Sequence, residues 1–138
     1  MAYLLDTNAL SEVFKKSPNK NVVQWLDLTN EDEQYISVLT IAEIQKGISK
    51  LDRSKRKNEM QLWFDQVRTR YHSRILSLEP NTAEIWGNLV GELERHGRIL
   101  PLIDSFIAAI ALEHDLTVVT RNTADFSAAK VATLNIWK

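Results

Sequence analysis

Four acidic residues stand where carboxylates can do chemistry. Asp6 ends the short apolar run Met1–Leu5, and Glu43 lies in the first turn of a helical pattern opened by Thr40. Asp104 sits in the first turn of the most apolar helical pattern, and Asp125 follows the β-branched run Thr117–Thr120. Singly, each has a structural explanation. Thr40 and Glu43 fit a Thr-x-x-Glu capping box. Asp104 suits the positive end of a helix dipole. Asp6 can cap the helix that follows it, and Asp125 can belong to a turn. Together they have another. If the fold gathers three or four carboxylates, like charges raise one another's pKa and the group needs a cation to stay ionised. A hard divalent ion, Mg²⁺ or Mn²⁺, prefers carboxylate oxygens and water. An acidic site holding such an ion is a template for phosphodiester hydrolysis. Thr7, Ser105 and Asn122 adjoin or lie near these acids and could orient them. Gly47, one turn after Glu43 on the same face, either keeps that face open or permits a close helix contact.

The elements that must position these acids follow from pattern. Met1–Leu5 reads as a buried strand, and caps at 6–8 start a helix over Ala9–Lys16 that Pro18 stops. A second short helix covers Asn21–Leu28, and Tyr35–Val38 is a strand. From Thr40, a helix places Ile41, Ile44, Ile48 and Leu51 on one face. A long amphipathic helix within Ser54–Tyr71 carries Met60, Trp63, Phe64, Val67 and Tyr71. Ile75–Leu78 is a strand, and Pro80-Asn81 starts a helix with a stripe of Ile85, Trp86, Leu89, Val90 and Leu93 that Gly97 ends. Ile103–His114 is apolar nearly all round, so it predicts a buried helix. Thr117–Thr120 and Val131–Leu134 complete the strands. Alternating strands and helices predict an α/β layer architecture with a mostly parallel sheet. Ligands of such sheets sit outside the carboxyl ends of strands, where Asp6 and the segment 121–125 fall.

The 138 residues fit one domain, 1–138, able to bury a core unaided. A composition of 44% hydrophobic and 25% charged residues, with 4 Gly and 3 Pro, excludes disorder and collagen-like repeats. The absence of cysteine excludes disulfides, thiolate metal sites and a catalytic Cys, and suits a reducing cytoplasm. The longest apolar run, Phe106–Leu112, is too short to span a membrane, and the N-terminus does not read as a signal peptide. The net charge of −1 hides a division. Residues 1–45 carry −4, residues 46–74 carry +6 and residues 75–138 carry −3. Such a basic block can attract phosphate backbones, or it can be a solvated helix face.

These motifs resemble the PIN-domain family, most closely the toxin ribonucleases of VapBC pairs and the FitB-type proteins. The matching stretches are Tyr3-Leu4-Leu5-Asp6-Thr7-Asn8 with Ser11-Glu12, then Ser37–Glu43 leading to Gly47, then Ile103–Ala109, then Val119–Phe126. They occur in the family's order and cover essentially the whole chain. The resemblance implies a three-layer α/β/α sandwich and a Mg²⁺- or Mn²⁺-dependent endoribonuclease. Asp6, Glu43 and Asp104 match the three core acids, and Asp125 matches a more variable fourth. Asp6 and Asp104 are the implied direct metal ligands, with Thr7, Thr120 and Asn122 in support. Asn122 stands where some relatives have an acid. The resemblance also implies a homodimer held inactive by a small DNA-binding antitoxin.

An acidic pocket that takes RNA needs basic guides. Lys46, Lys50 and Arg53 of the basic block are candidates, with Arg121 and Arg98. Trp63 and Trp86 fit helix core stripes better than base stacking. His72, His96 and His114 are poorly placed beside the acids. Two rival readings remain: a catalytically silent RNA- or partner-binding module on the same fold, and a phosphotransferase with a nucleophilic Asp6. Asn8 argues against the second, which usually has another Asp two residues on.

Overall fold

The computed structural model describes residues 1–138. Five strands form the sheet: β1 (Tyr3–Leu5), β2 (Gln34–Ser37), β3 (Ile75–Leu76), β4 (Thr117–Val119) and β5 (Thr133–Leu134). Seven helices connect and flank them: α1 (Thr7–Ser11), α2 (Lys20–Leu28), α3 (Val38–Ser49), α4 (Lys55–Arg70), α5 (Pro80–Arg95), α6 (Leu102–His114) and α7 (Thr123–Ser127). The strand order is β3-β2-β1-β4-β5, and every neighbouring pair is parallel. The expected α/β/α sandwich is therefore present, with the sheet wholly rather than mostly parallel.

Strand alternation divides the core in two. Leu5, Ile36 and Val119 face one side, where they pack with Val22, Ile44, Ile48, Phe64, Val67 and Tyr71. Leu4 and Val118 face the other, against Ile107, Ala108, Ile110, Ala111 and Phe126. A parallel sheet needs this cover on both faces, which explains its unbroken apolar strands.

The chain runs outward from β1 to β2 and β3, then returns to the other side of β1 as β4 and β5. The order reverses between β1 and β4. A parallel sheet leaves its ligand crevice at the carboxyl end of such a reversal. Leu5 pairs with Val119, and the Asp6 N–H donates to the Val119 carbonyl at 3.1 Å. Asp6 and Thr120 thus emerge side by side at the reversal.

Several boundaries differ from the sequence reading. The first helix is only Thr7–Ser11, and a 3-10 turn over Glu12–Phe14 replaces the rest of the expected Ala9–Lys16. Pro80 is the first residue of α5, whose cap is Glu79 in a reciprocal pairing with Thr82. Strands β3 and β5 are shorter than expected because only two residues of each find a parallel partner. Helix α3 starts at Val38, capped by the Ser37 hydroxyl, which accepts from the Thr40 N–H at 3.3 Å. Leu51 falls beyond the end of α3 and is exposed. Gly97 does end α5, in a left-handed conformation with φ 68°.

Candidate active site

Asp6 is the N-cap of α1, and its Oδ1 accepts from the Ala9 N–H at 2.9 Å. The capping role and a ligand role are compatible, because a carboxylate has two oxygens and several lone pairs. The side chain is only 7% exposed. Burial pushes its carboxyl above the usual aspartate range; hydrogen bonds from Thr120 and the Ala9 N–H oppose this, and the charge of Glu43 adds to it.

Glu43 is not in the first turn of its helix, as the sequence suggested. The helix begins one turn earlier, so Thr40 is interior and fully buried, and no capping box forms there. Without that structural task, Glu43 is held by the Thr7 hydroxyl, which donates to Oε1. The Thr7 hydroxyl also approaches Thr40 Oγ1 at 3.3 Å. Thr7 belongs to α1 and Glu43 to α3, so one hydroxyl sets the spacing of two elements. A Cβ added at Gly47 would meet nothing within 4 Å, so the face one turn beyond Glu43 is open and makes no tight helix contact.

Asp104 lies in the first turn of α6, as expected, and is half-buried. Its carboxyl is pushed up to about 6, first by burial and then by the charges of Asp125, Asp6 and Glu43. Asp104 on α6 therefore lies within the field of Asp6 at the cap of α1, Glu43 on α3 and Asp125 on α7. Asp125 is exposed, in the first turn of α7. Asn122 precedes that helix without a side-chain cap bond, and its N–H donates to Thr120 Oγ1 at 3.0 Å. Thr120 thus links the segment carrying Asp125 to Asp6. Ser105 is turned away: it accepts from the Trp86 indole at 2.8 Å and donates to the Leu102 carbonyl.

No three His, Asp or Glu side chains close into a cage around one point. The donor set nevertheless suits Mg²⁺ or Mn²⁺. Mg²⁺ is commonly held by one or two carboxylates and keeps several waters. Burial first, and then repulsion from the other carboxylates, raise Asp104, and a bound cation would relieve the repulsion.

The basic candidates divide. Lys46, Lys50 and Arg53 are exposed at the end of α3 and in the following loop, and none is within ion-pair distance of a carboxylate. Arg121 is engaged: its guanidinium lies 4.6 Å from the Trp137 ring centre and 3.6 Å from Glu12. Other members of the basic block serve the fold. Arg70 and Arg74 pair with Glu31, and Arg56 covers Phe14.

Glu12 was seen in the sequence only as part of a motif, with no role. It is buried and accepts from the Asn19 N–H at 3.0 Å and the Trp137 indole at 3.3 Å, beside Lys15 at 2.9 Å. Burial alone would raise its carboxyl; the bonds from Lys15, Asn19 and Trp137 hold it below the usual range. An acid in the apolar first helical segment was the available signal. Its partners lie up to 125 positions away, so local spacing could not reveal them.

The chain is similar to known proteins along nearly its whole length. The PIN domain family model matches residues 3–132. Toxin FitB of Neisseria gonorrhoeae is 38% identical over 135 residues, 97% of each chain. Ribonuclease VapC2 of Rickettsia felis is 31% identical over 137 residues, 99% of this chain and 98% of its own. The structure of FitAB bound to a DNA fragment superposes with a TM-score of 0.93 at 36% identity, covering 99% of this chain and 96% of that one.

Proposed function

The chain belongs to the PIN-domain family, and we propose that it is the toxin of a toxin–antitoxin pair, an endoribonuclease dependent on Mg²⁺ or Mn²⁺. Residues 1–138 act in this reading as one nuclease domain. The observation that carries it is the placement of Asp6 at the β1–β4 reversal with Asp104 close enough that, besides burial, the charges of Asp125, Asp6 and Glu43 act on its carboxyl. The naming of relatives as a toxin and a ribonuclease supports the same activity.

Asp6 and Asp104 would hold the ion, with Glu43 and Asp125 supplying further carboxylate oxygens to its waters. When bound, the metal supplies a Lewis acid at the scissile phosphate and lowers the pKa of a water at the site. Thr7 fixes the Glu43 carboxylate, and Thr120 fixes Asp6 while anchoring the Asn122 backbone. Such outer hydrogen bonds set ligand orientation. Lys46, Lys50 and Arg53 would guide the RNA backbone by charge, which gives affinity without sequence choice. Arg121 would contribute through the outer side of a guanidinium already stacked on Trp137.

The partner is a small DNA-binding antitoxin, a reading supported by the solved FitAB complex on DNA. The chain acts as a homodimer in the cytoplasm. No helix is long and apolar enough to cross a membrane. One alternative is a catalytically silent RNA- or partner-binding module on the same fold. Incubating RNA with the purified chain decides between them. Cleavage with Mn²⁺ that EDTA and Asp104→Asn each abolish is expected. RNA that is bound but stays full length would establish the silent module.

A further inference from the structure

Between the C-terminal turn of α5 and the end of α7 lies an open cleft of about 450 Å³. His96, Arg98 and Lys130 line it, with Ser127 and Glu92. Arg98 and Lys130 are exposed, and neither is within ion-pair distance of a carboxylate. Glu92 is taken up by Arg95 at 3.0 Å and His96 at 3.6 Å. The cleft therefore presents two free cations to solvent.

Both of its free cations follow helix ends. Gly97 and Lys130 both hold left-handed conformations, with φ 68° and 57°. Glycine adopts that region freely, whereas a Cβ is crowded there. At Gly97 the sequence supplies the unstrained residue. At Lys130, as at Asp115 after α6, a residue with a Cβ takes the same left-handed turn past a helix end.

The cleft adjoins the acids by two routes. Helix α7 carries Asp125 in its first turn and Ser127 at its end. The segment from Arg98 leads directly into α6, which carries Asp104 and packs on α7. Lys46, Lys50 and Arg53 lie at the end of α3, whose Ile44 and Ile48 join the core on one face of the sheet. Helices α6 and α7 cover the opposite face. Free cations thus occur in both helical layers.

We propose that this cleft binds the phosphate backbone of single-stranded RNA, with Arg98 and Lys130 each contacting one phosphate beyond the scissile one. The proposal rests on the ribonuclease reading for the identity of the strand. The charge is complementary to a polyanion, and the open shape admits an extended backbone.

The test uses the double variant Arg98→Ala/Lys130→Gly in the full chain, in an Asp104→Asn background that prevents cleavage. The probe is a single-stranded RNA of about 12 nucleotides, its affinity measured by filter binding across a range of KCl concentrations. Two lost phosphate contacts make the salt slope shallower by about 1.4, at roughly 0.7 per contact for single strands. Affinity at low salt falls roughly fivefold or more. Lys130→Gly relieves the backbone, so the variant should melt no lower than its parent, which separates lost contact from lost fold. A slope and affinity equal to the parent's would overturn the proposal, as would an Asp104→Asn chain that binds no RNA. Cleavage by the unmutated chain judges the other reading separately. RNA left intact with Mn²⁺ but bound with the expected slope change refutes the nuclease and keeps the cleft.

Discussion

Asp104 shows how one side chain carries both a cost to the fold and a place in the site. The unfolded chain releases its proton near the ordinary aspartate value of 3.8, and the folded chain holds it to about 6. Between those values the native state binds more protons, so this group's contribution to stability falls as pH rises from about 4 to about 6 and is level above. Asp104→Asn removes the penalty. Thermal melts of the metal-free protein at pH 7.5 should find the variant more stable by about 1–2 kcal/mol, the effect being reduced by partial solvent screening of a half-buried group. The advantage should vanish near pH 4, while RNA cleavage is lost. Thr7→Val tests positioning at the same scale. It deletes the hydroxyl that holds Glu43 and keeps the shape, so the fold should persist while cleavage drops about tenfold, as expected for an outer-shell partner of a ligand. A rate equal to wild type would remove Thr7 from the site.

At the scale of elements, helix starts decided the meaning of residues. Thr40 and Glu43 had the spacing of a cap, but Ser37 had already begun the helix. The signal for an earlier start was present in a serine before an apolar run, and it competed with an equally good one at Thr40. Gly47 was ambiguous until its surroundings were known. With open space around it, Gly47→Ala should raise stability by up to about 1 kcal/mol through helix propensity alone. If RNA passes over that face, cleavage should fall as the melting temperature rises. Glu12 ties the first helical turn to the chain's end through Trp137 and Arg121. Glu12→Ala strands the Asn19 N–H and the indole N–H, and should cost about 2–4 kcal/mol in a urea titration.

At the scale of the molecule, the charge division is partly structural. Arg56, Arg70 and Arg74 from the basic block pack against Phe14, Glu31 and Tyr71, and Lys55 lies near Glu59, which leaves Lys46, Lys50, Arg53, Lys57 and Arg68 without a carboxylate or aromatic partner. Nucleic-acid affinity should therefore depend on salt less steeply than nine basic residues would suggest. Added Mg²⁺ or Mn²⁺ should raise the melting temperature with concentration, since a ligand of the native state stabilises it by mass action. EDTA should reverse the rise, and Asp6→Asn should abolish it.

The sequence by itself determined the layered α/β class and the order of its elements, because apolar periodicity is a local property of the chain. It also marked Asp6, Asp104 and Asp125 as acids at a strand end and in the first turns of helices, while it placed Glu43 one turn too early in α3, because two cap signals competed locally. Only the tertiary structure decided which of them share a field. That required the reversal of strand order between β1 and β4, a matter of long-range pairing that no local window contains. The same holds for Glu12, for Arg121 on Trp137 and for the cleft of Arg98 and Lys130. Each is made by groups distant in sequence, and burial, charge and hydrogen bonding act through space.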